Sequence, residues 1–209
     1  MRTVTAIEPY SGHRYKVYLD GEFAFLLYRK ELSDYRITEN GILEEETCRQ
    51  ILEELLPLRA KKRSLKLLEM KSYTERQLRD KLRDGLYPPS VIDEAIAYVK
   101  SYHYIDDYAF ACQYIEYHKE NRSRRKLEEA LTRKGIDRGC LARAMTDAYD
   151  SLQEGQQLEL TQARRLLEKK HYTPDTADMK ERQKMYTFLM RRGISSDIIR
   201  KVLTITEDY

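Results

Sequence analysis

The side chains of this 209-residue chain best suited to do chemistry are its clustered cations. Arg122, Arg124, Arg125 and Lys126 stand together, with Arg133 and Lys134 one helix length on. Arg59, Lys61, Lys62 and Arg63 form an earlier group, and Arg164, Arg165, Lys169, Lys170, Arg191 and Arg192 a later one. The chemistry they offer is recognition of anions, either DNA phosphates or an acidic protein surface. Arg122 to Lys126 carries most weight, because it falls where a helix begins. Positive charge there opposes the helix dipole, so helix stability does not explain its presence. The plainer reading is a solvated face, with Glu120, Glu128 and Glu129 close enough in sequence to pair with it.

Catalytic arrangements are missing from the sequence. It has no GxxxxGK[ST] phosphate loop, no GxGxxG, no GxSxG and no HExxH. Consecutive Asp106 and Asp107 read as a helix N-cap, where carboxylates satisfy free amides, and not as an acid–base pair. Cys48, Cys112 and Cys140 are odd in number and widely spaced, which points to neither a disulfide framework nor a zinc site. The four histidines are scattered. The 17 tyrosines permit base stacking, but Tyr87, Tyr98, Tyr102, Tyr114 and Tyr149 fall at helix-core or turn positions. The expectation is a non-enzyme with no catalytic residue, cofactor or metal.

Charge is unevenly distributed. Residues 1–56 hold 7 Lys and Arg against 11 Asp and Glu, a balance of −4, whereas residues 57–209 hold 31 against 24, or +7. An anionic partner is therefore expected for the later part. No apolar run approaches the ~20 residues needed to span a bilayer, and Met1-Arg2-Thr3 opens no signal peptide. A soluble cytoplasmic protein, without membrane contact and monomeric, is expected.

The elements that must position these cations follow one repeated pattern. Leu127 and Leu131 lie four apart on a helical face, Gly135 ends the helix, Ile136 re-enters the core, and Leu141 and Met145 start a second apolar face. The same intervals recur at Leu78, Leu82, Tyr87, Val91, Ile92 and Ile96, and at Met185, Leu189, Ile194, Ile198, Ile199 and Leu203. Repetition on this scale signals tandem helical units. Gly135 and Gly193 sit where a helix leaves through a left-handed residue, a conformation that costs other residues roughly 1–2 kcal/mol. The first copy has Leu86 at that place, with Gly85 one residue early and Pro88-Pro89 after it, which predicts a turn built differently.

In chain order, Thr3–Ile7, Tyr15–Leu19 and Glu22–Leu27 predict a three-stranded meander, with a loop at Pro9, Ser11 and Gly12 and a hairpin turn at Asp20-Gly21. A short helix at Tyr28–Asp34 and another at Glu44–Leu56 follow, closed by Pro57. Thr74 and Gln77 form a capping box for a helix at Glu75–Arg83, and Ser90–Ser101 makes the next. The polar stretch Gln153–Gln157, with Gly155 as hinge, connects to a unit containing Leu158–Lys170 and Lys180–Leu203, interrupted at Thr173-Pro174-Asp175. The tail beyond Thr206 is expected to fray. The predicted organisation is residues 1–57 as meander plus helix, then three-helix repeats at 58–107, 108–152 and 153–209. The fold class is mainly α.

The pattern resembles the RecX family, small bacterial regulators of the RecA recombinase. Ser72-Tyr73-Thr74-Glu75 with Leu78 and Leu82, Tyr104-Ile105-Asp106-Asp107 with Phe110-Ala111, and Glu129 through Leu131 to Lys134-Gly135-Ile136 carry it. It runs from about Ala60 to Leu203, and its order and spacing are more specific than any one motif. Two departures stand out: His103 replaces the family's usual glycine before the Tyr-Leu-Asp-Asp segment, and Ser123 replaces another before the second basic stretch. The resemblance implies three tandem three-helix units in an elongated curved body. It implies binding in the groove of RecA filaments on single-stranded DNA, restraining strand exchange and ATP hydrolysis, with roles in DNA repair, recombination and the SOS response. A general nucleic-acid binder or transcriptional regulator built from helix-turn-helix-like units is the alternative.

Overall fold

A computed structural model of the chain describes residues 1–149, 152–174 and 176–203, with the backbone alone at 152–154. The N-terminal strands are β1 (Arg2–Ser11), β2 (Arg14–Leu19) and β3 (Glu22–Tyr28), antiparallel as alternation predicts. Val4, Val17, Leu19, Phe25 and Leu27 turn one face inward. Asp20 and Gly21, both at positive φ, make the tight turn between β2 and β3. Two points differ from expectation. Pro9 lies within β1, beside an irregularity in its pairing with β2 that spares the ladder the missing amide. A fourth strand, β4 (Ile42–Leu43), adds to β1 and completes the order β3-β2-β1-β4; two residues are too few to leave a periodic signal.

Helix α1 spans Arg29–Asp34 and α2 spans Glu45–Gln50, the latter opening on carboxylates as expected. Pro57 does not end this segment. A π-helical stretch at Ile51–Leu55 carries the chain without a break into α3 (Leu56–Met70). The wider π turn accommodates a proline that lacks a donor and crowds the carbonyl four residues back. Helices α4 (Glu75–Arg83) and α5 (Pro89–Ser101) complete the first repeat, and the Thr74–Gln77 capping box is present. Sheet and helices of residues 1–106 share one core, in which Ile51, Leu56, Leu78, Leu82 and Ile96 are fully buried.

Residues 107–209 form the other compact unit. The second repeat is α6 (Asp107–His118), α7 (Arg124–Lys134) and α8 (Arg138–Asp147), packed around Ile115, Leu127, Leu131 and Met145. The third is α9 (Leu152–Glu168), α10 (Met179–Arg192) and α11 (Ser196–Leu203), around Leu167, Leu189, Ile199 and Leu203. The expected connector at Gln153–Gln157 is instead the first turns of α9, with Gly155 inside the helix. A single glycine costs a helix only about 1 kcal/mol, which packing further along the helix offsets. The end of the second repeat at Ser151, Asp175 of the expected interruption, and the tail beyond Thr206 lie outside the described residues.

The turns inside the three repeats share one geometry. The amides of Tyr87, Ile136 and Ile194 donate to the carbonyls of Leu82, Leu131 and Leu189, five residues back. The left-handed residue before each is Leu86, Gly135 or Gly193. Leu86 at φ +58° thus does what glycine does in the other copies, contrary to the different turn expected there. His103 and His171 close α5 and α9 in the same manner, also at positive φ.

Candidate anion-binding cleft

Ser123 stands at the N-cap of α7, yet its hydroxyl turns away from the helix and donates to the carbonyl of Arg192 at 2.8 Å. Gln162, buried on α9, donates its amide to the carbonyls of Lys119 and Arg122. Glu159 accepts from both the amide and the hydroxyl of Ser195, closing the base of the third repeat. The buried Ser123 and Gln162 contacts fix the second and third repeats against each other. Each would cost roughly 1–3 kcal/mol if one partner were removed and the other left unsatisfied.

Between these contacts opens a cleft of about 420 Å³. Its lining carries Arg122, Lys126 and Arg133 from the second repeat and Arg165, Lys169, Arg191 and Arg192 from the third, against a single carboxylate, Glu120. The sequence candidates thus converge here in part. Seven of them line one concavity although they lie up to 70 positions apart in the chain. Among the described residues Arg165, Lys169, Arg191 and Arg192 make no ion pair. Arg192 does lie 5.5 Å over the ring of Phe188.

The remaining candidates are placed differently. Arg124 and Arg125 pair with Glu128 and Glu129, both at 3.2 Å, on the exposed side of α7. Lys126 reaches Glu129 at 2.7 Å while also lining the cleft. Hydrogen bonding from Lys126, before any other influence, holds the Glu129 carboxyl below its ordinary range. Exposed pairs of this kind contribute little to stability, so their loss to another partner costs little. Lys134 lies over the rings of Phe110 and Tyr114, and Lys170 over Phe188. Arg164 is exposed on α9.

In the first repeat Arg59 is committed to the interior of its own unit. It donates to Glu31 at 2.7 Å and to the Leu26 carbonyl, between the rings of Tyr28 and Tyr87. Lys61 pairs with Glu94 at 2.7 Å. Lys62 and Arg63 are exposed.

Arg122 extends the cleft toward α6, where its guanidinium donates to the Tyr114 hydroxyl at 2.8 Å. Along that helix the Phe110 ring stacks on Tyr114, which in turn meets the His118 ring edge-on. Burial, then the positive charges of Arg122 and Lys134, push the His118 imidazole below its ordinary pKa. The sequence offers Glu120 only as a pairing partner of the basic cluster and Ser123 only as a replaced glycine, and it gives no sign of Gln162. A buried glutamine on an otherwise amphipathic helix carries no signal until its carbonyl partners, some 40 positions earlier, are known.

No helix of the described residues is long and apolar enough to cross a membrane, and no group of three or more His, Cys, Asp or Glu among them could hold a metal ion.

Comparison with known proteins agrees with this architecture. Family models described as RecX, first three-helix domain, and RecX, third three-helix domain, match residues 60–98 and 157–203. The chain is 26% identical to Regulatory protein RecX of Clostridium beijerinckii, over 99% of this chain and 97% of that protein. It is also 26% identical to the protein of that name from Caldanaerobacter subterraneus subsp. tengcongensis, over 92% and 93%. A crystal structure of regulatory protein RecX superposes with a TM-score of 0.62 at 21% identity, covering 99% of this chain and all of the other. That of RecX from Lactobacillus salivarius gives 0.60 at 20% identity, covering 71% of this chain and 95% of the other. With its three-helix repeats and small N-terminal sheet, this chain belongs to the RecX family of regulatory proteins.

Proposed function

We propose that the protein is a non-enzymatic regulator of the RecA recombinase, binding RecA filaments on single-stranded DNA and restraining their ATP hydrolysis and strand exchange. The observation that carries this reading is the cleft in a chain of this family, whose seven cations face one carboxylate. The filament is a polyanion through its DNA, and tandem units can contact neighbouring subunits of a helical polymer and bias their interfaces without chemistry of their own. The protein acts in the cytoplasm as a monomer and requires no cofactor.

The test adds the purified chain to RecA assembled on single-stranded DNA and follows ATP hydrolysis, with binding to naked duplex DNA measured beside it. Inhibition at concentrations below those needed for duplex binding supports the reading. Tight, sequence-selective duplex binding with no effect on RecA would favour a transcriptional regulator instead.

A further inference from the structure

We infer that the cleft between the second and third repeats seats the sugar–phosphate backbone of one nucleic-acid strand, held through consecutive phosphates and not through its bases. The inference rests on the reading that this cleft meets the filament, and adds that the filament's DNA, and not an acidic protein surface, is what enters it.

Three features favour a strand. The charge is dense and one-sided, with Arg165, Lys169, Arg191 and Arg192 making no ion pair among the described residues. A strand offers negative charges at short regular intervals, whereas an acidic protein face offers carboxylates on separately anchored side chains. Arg165 and Lys169 lie four residues apart on α9, about 6 Å along its axis, a spacing suited to adjacent phosphates of an extended strand. No tyrosine or phenylalanine lines the cleft, so bases find no stacking platform there and remain outside.

The cations come from both repeats, so an occupying strand bridges them. Binding therefore stabilises the arrangement that the Ser123–Arg192 and Gln162 contacts define.

The test uses the full chain without recombinase and a fluorescein-labelled oligothymidylate, read by anisotropy across a salt series. One variant carries Arg165→Glu with Lys169→Glu. A second, Lys62→Glu with Arg63→Glu, makes the same charge change in the first repeat. Thermal melts establish that each is folded, and Arg165→Gln with Lys169→Gln replaces the reversal should it unfold. The cleft variant is expected to bind about tenfold more weakly or worse and to lose about 1.4 from the salt slope, near 0.7 per lost phosphate contact. The control is expected to stay within about twofold of the original chain, and oligothymidylate and oligoadenylate to bind alike, as contacts to the phosphate backbone carry no sequence information.

Equal losses in both variants would reduce the binding to diffuse charge and overturn the inference. So would competition by polyglutamate as effective, charge for charge, as that by unlabelled strand, which would assign the cleft to an acidic protein surface. If strand binding fails while RecA hydrolysis is still inhibited, this inference falls and the filament reading stands. Strand binding without any effect on RecA reverses that outcome.

Discussion

The hydroxyl of Ser123 donates to the carbonyl of Arg192, and Gly193, the next residue, backs onto the same oxygen. A β-carbon on Gly193 would stand 2.5 Å from Ser123 Oγ, at a φ of +84° that already excludes most side chains. Glycine there both ends α10 and permits the close approach of the two repeats. Gly193→Ala should cost at least ~1–2 kcal/mol from backbone conformation alone. Ser123→Ala, which removes the hydrogen bond, should cost about 1 kcal/mol. The double substitution relieves the collision and should cost less than the sum of the two. Urea unfolding of the three variants checks this, and strict additivity would show that the two positions do not meet.

His103 occupies a left-handed position at the end of α5, exposed and at φ +54°. His103→Gly removes strain of roughly 1–2 kcal/mol, offset by about 0.5–1 kcal/mol from the greater freedom of glycine in the unfolded chain. A small rise in Tm is expected, and His103→Ala should show none. A fall in Tm with His103→Gly would mean that the imidazole makes a stabilising contact that outweighs the strain.

Leu131 is fully buried among Ile115, Leu127 and Met145. Leu131→Ala should destabilise the second repeat by about 2–5 kcal/mol, seen as loss of helical circular dichroism at a lower denaturant concentration. A change below about 0.5 kcal/mol, typical of surface sites, would contradict this placement.

His118 reports on the cleft through Arg122. Its folded-state pKa is lowered, first by burial and then by Arg122 and Lys134. The unfolded chain therefore takes up the proton first, at about 6.5. The stability gained by keeping His118 neutral is present above that value and declines as pH falls through it toward the folded-state pKa. A phosphate beside Arg122 offsets the neighbouring positive charge, so adding oligothymidylate should raise the His118 pKa, and by linkage the strand should bind more tightly in mild acid. A proton NMR titration with and without the strand measures the His118 shift. An unchanged His118 pKa would place the strand away from Arg122.

The repeats and their buried positions were legible because one interval pattern, four, five and nine residues, is copied three times. Each copy places its apolar residues on a face that the structure buries, with only Tyr87 half-exposed. The turn at Leu86 was misread because propensity favours glycine at a left-handed position, whereas the packing on either side of that turn enforces the geometry. Pro57 and Gly155 were read as breaks by the same local logic. A π-helical stretch and the packed remainder of α9 override them. The cations of the cleft were visible as types, but their convergence was not. Arg122 and Arg192 meet at one concavity only because Gln162 and Ser123 join the two repeats, and such contacts between distant residues leave no periodic trace.

The most direct measurement is ATP hydrolysis by RecA on single-stranded DNA, titrated with the chain, with the Arg165→Glu, Lys169→Glu variant and with the Lys62→Glu, Arg63→Glu variant. The account predicts inhibition by the unmodified chain, an inhibition midpoint raised by about tenfold for the cleft variant through lost phosphate contacts, and little change for the control. Hydrolysis indifferent to the unmodified chain, or inhibited equally by both variants, would contradict it.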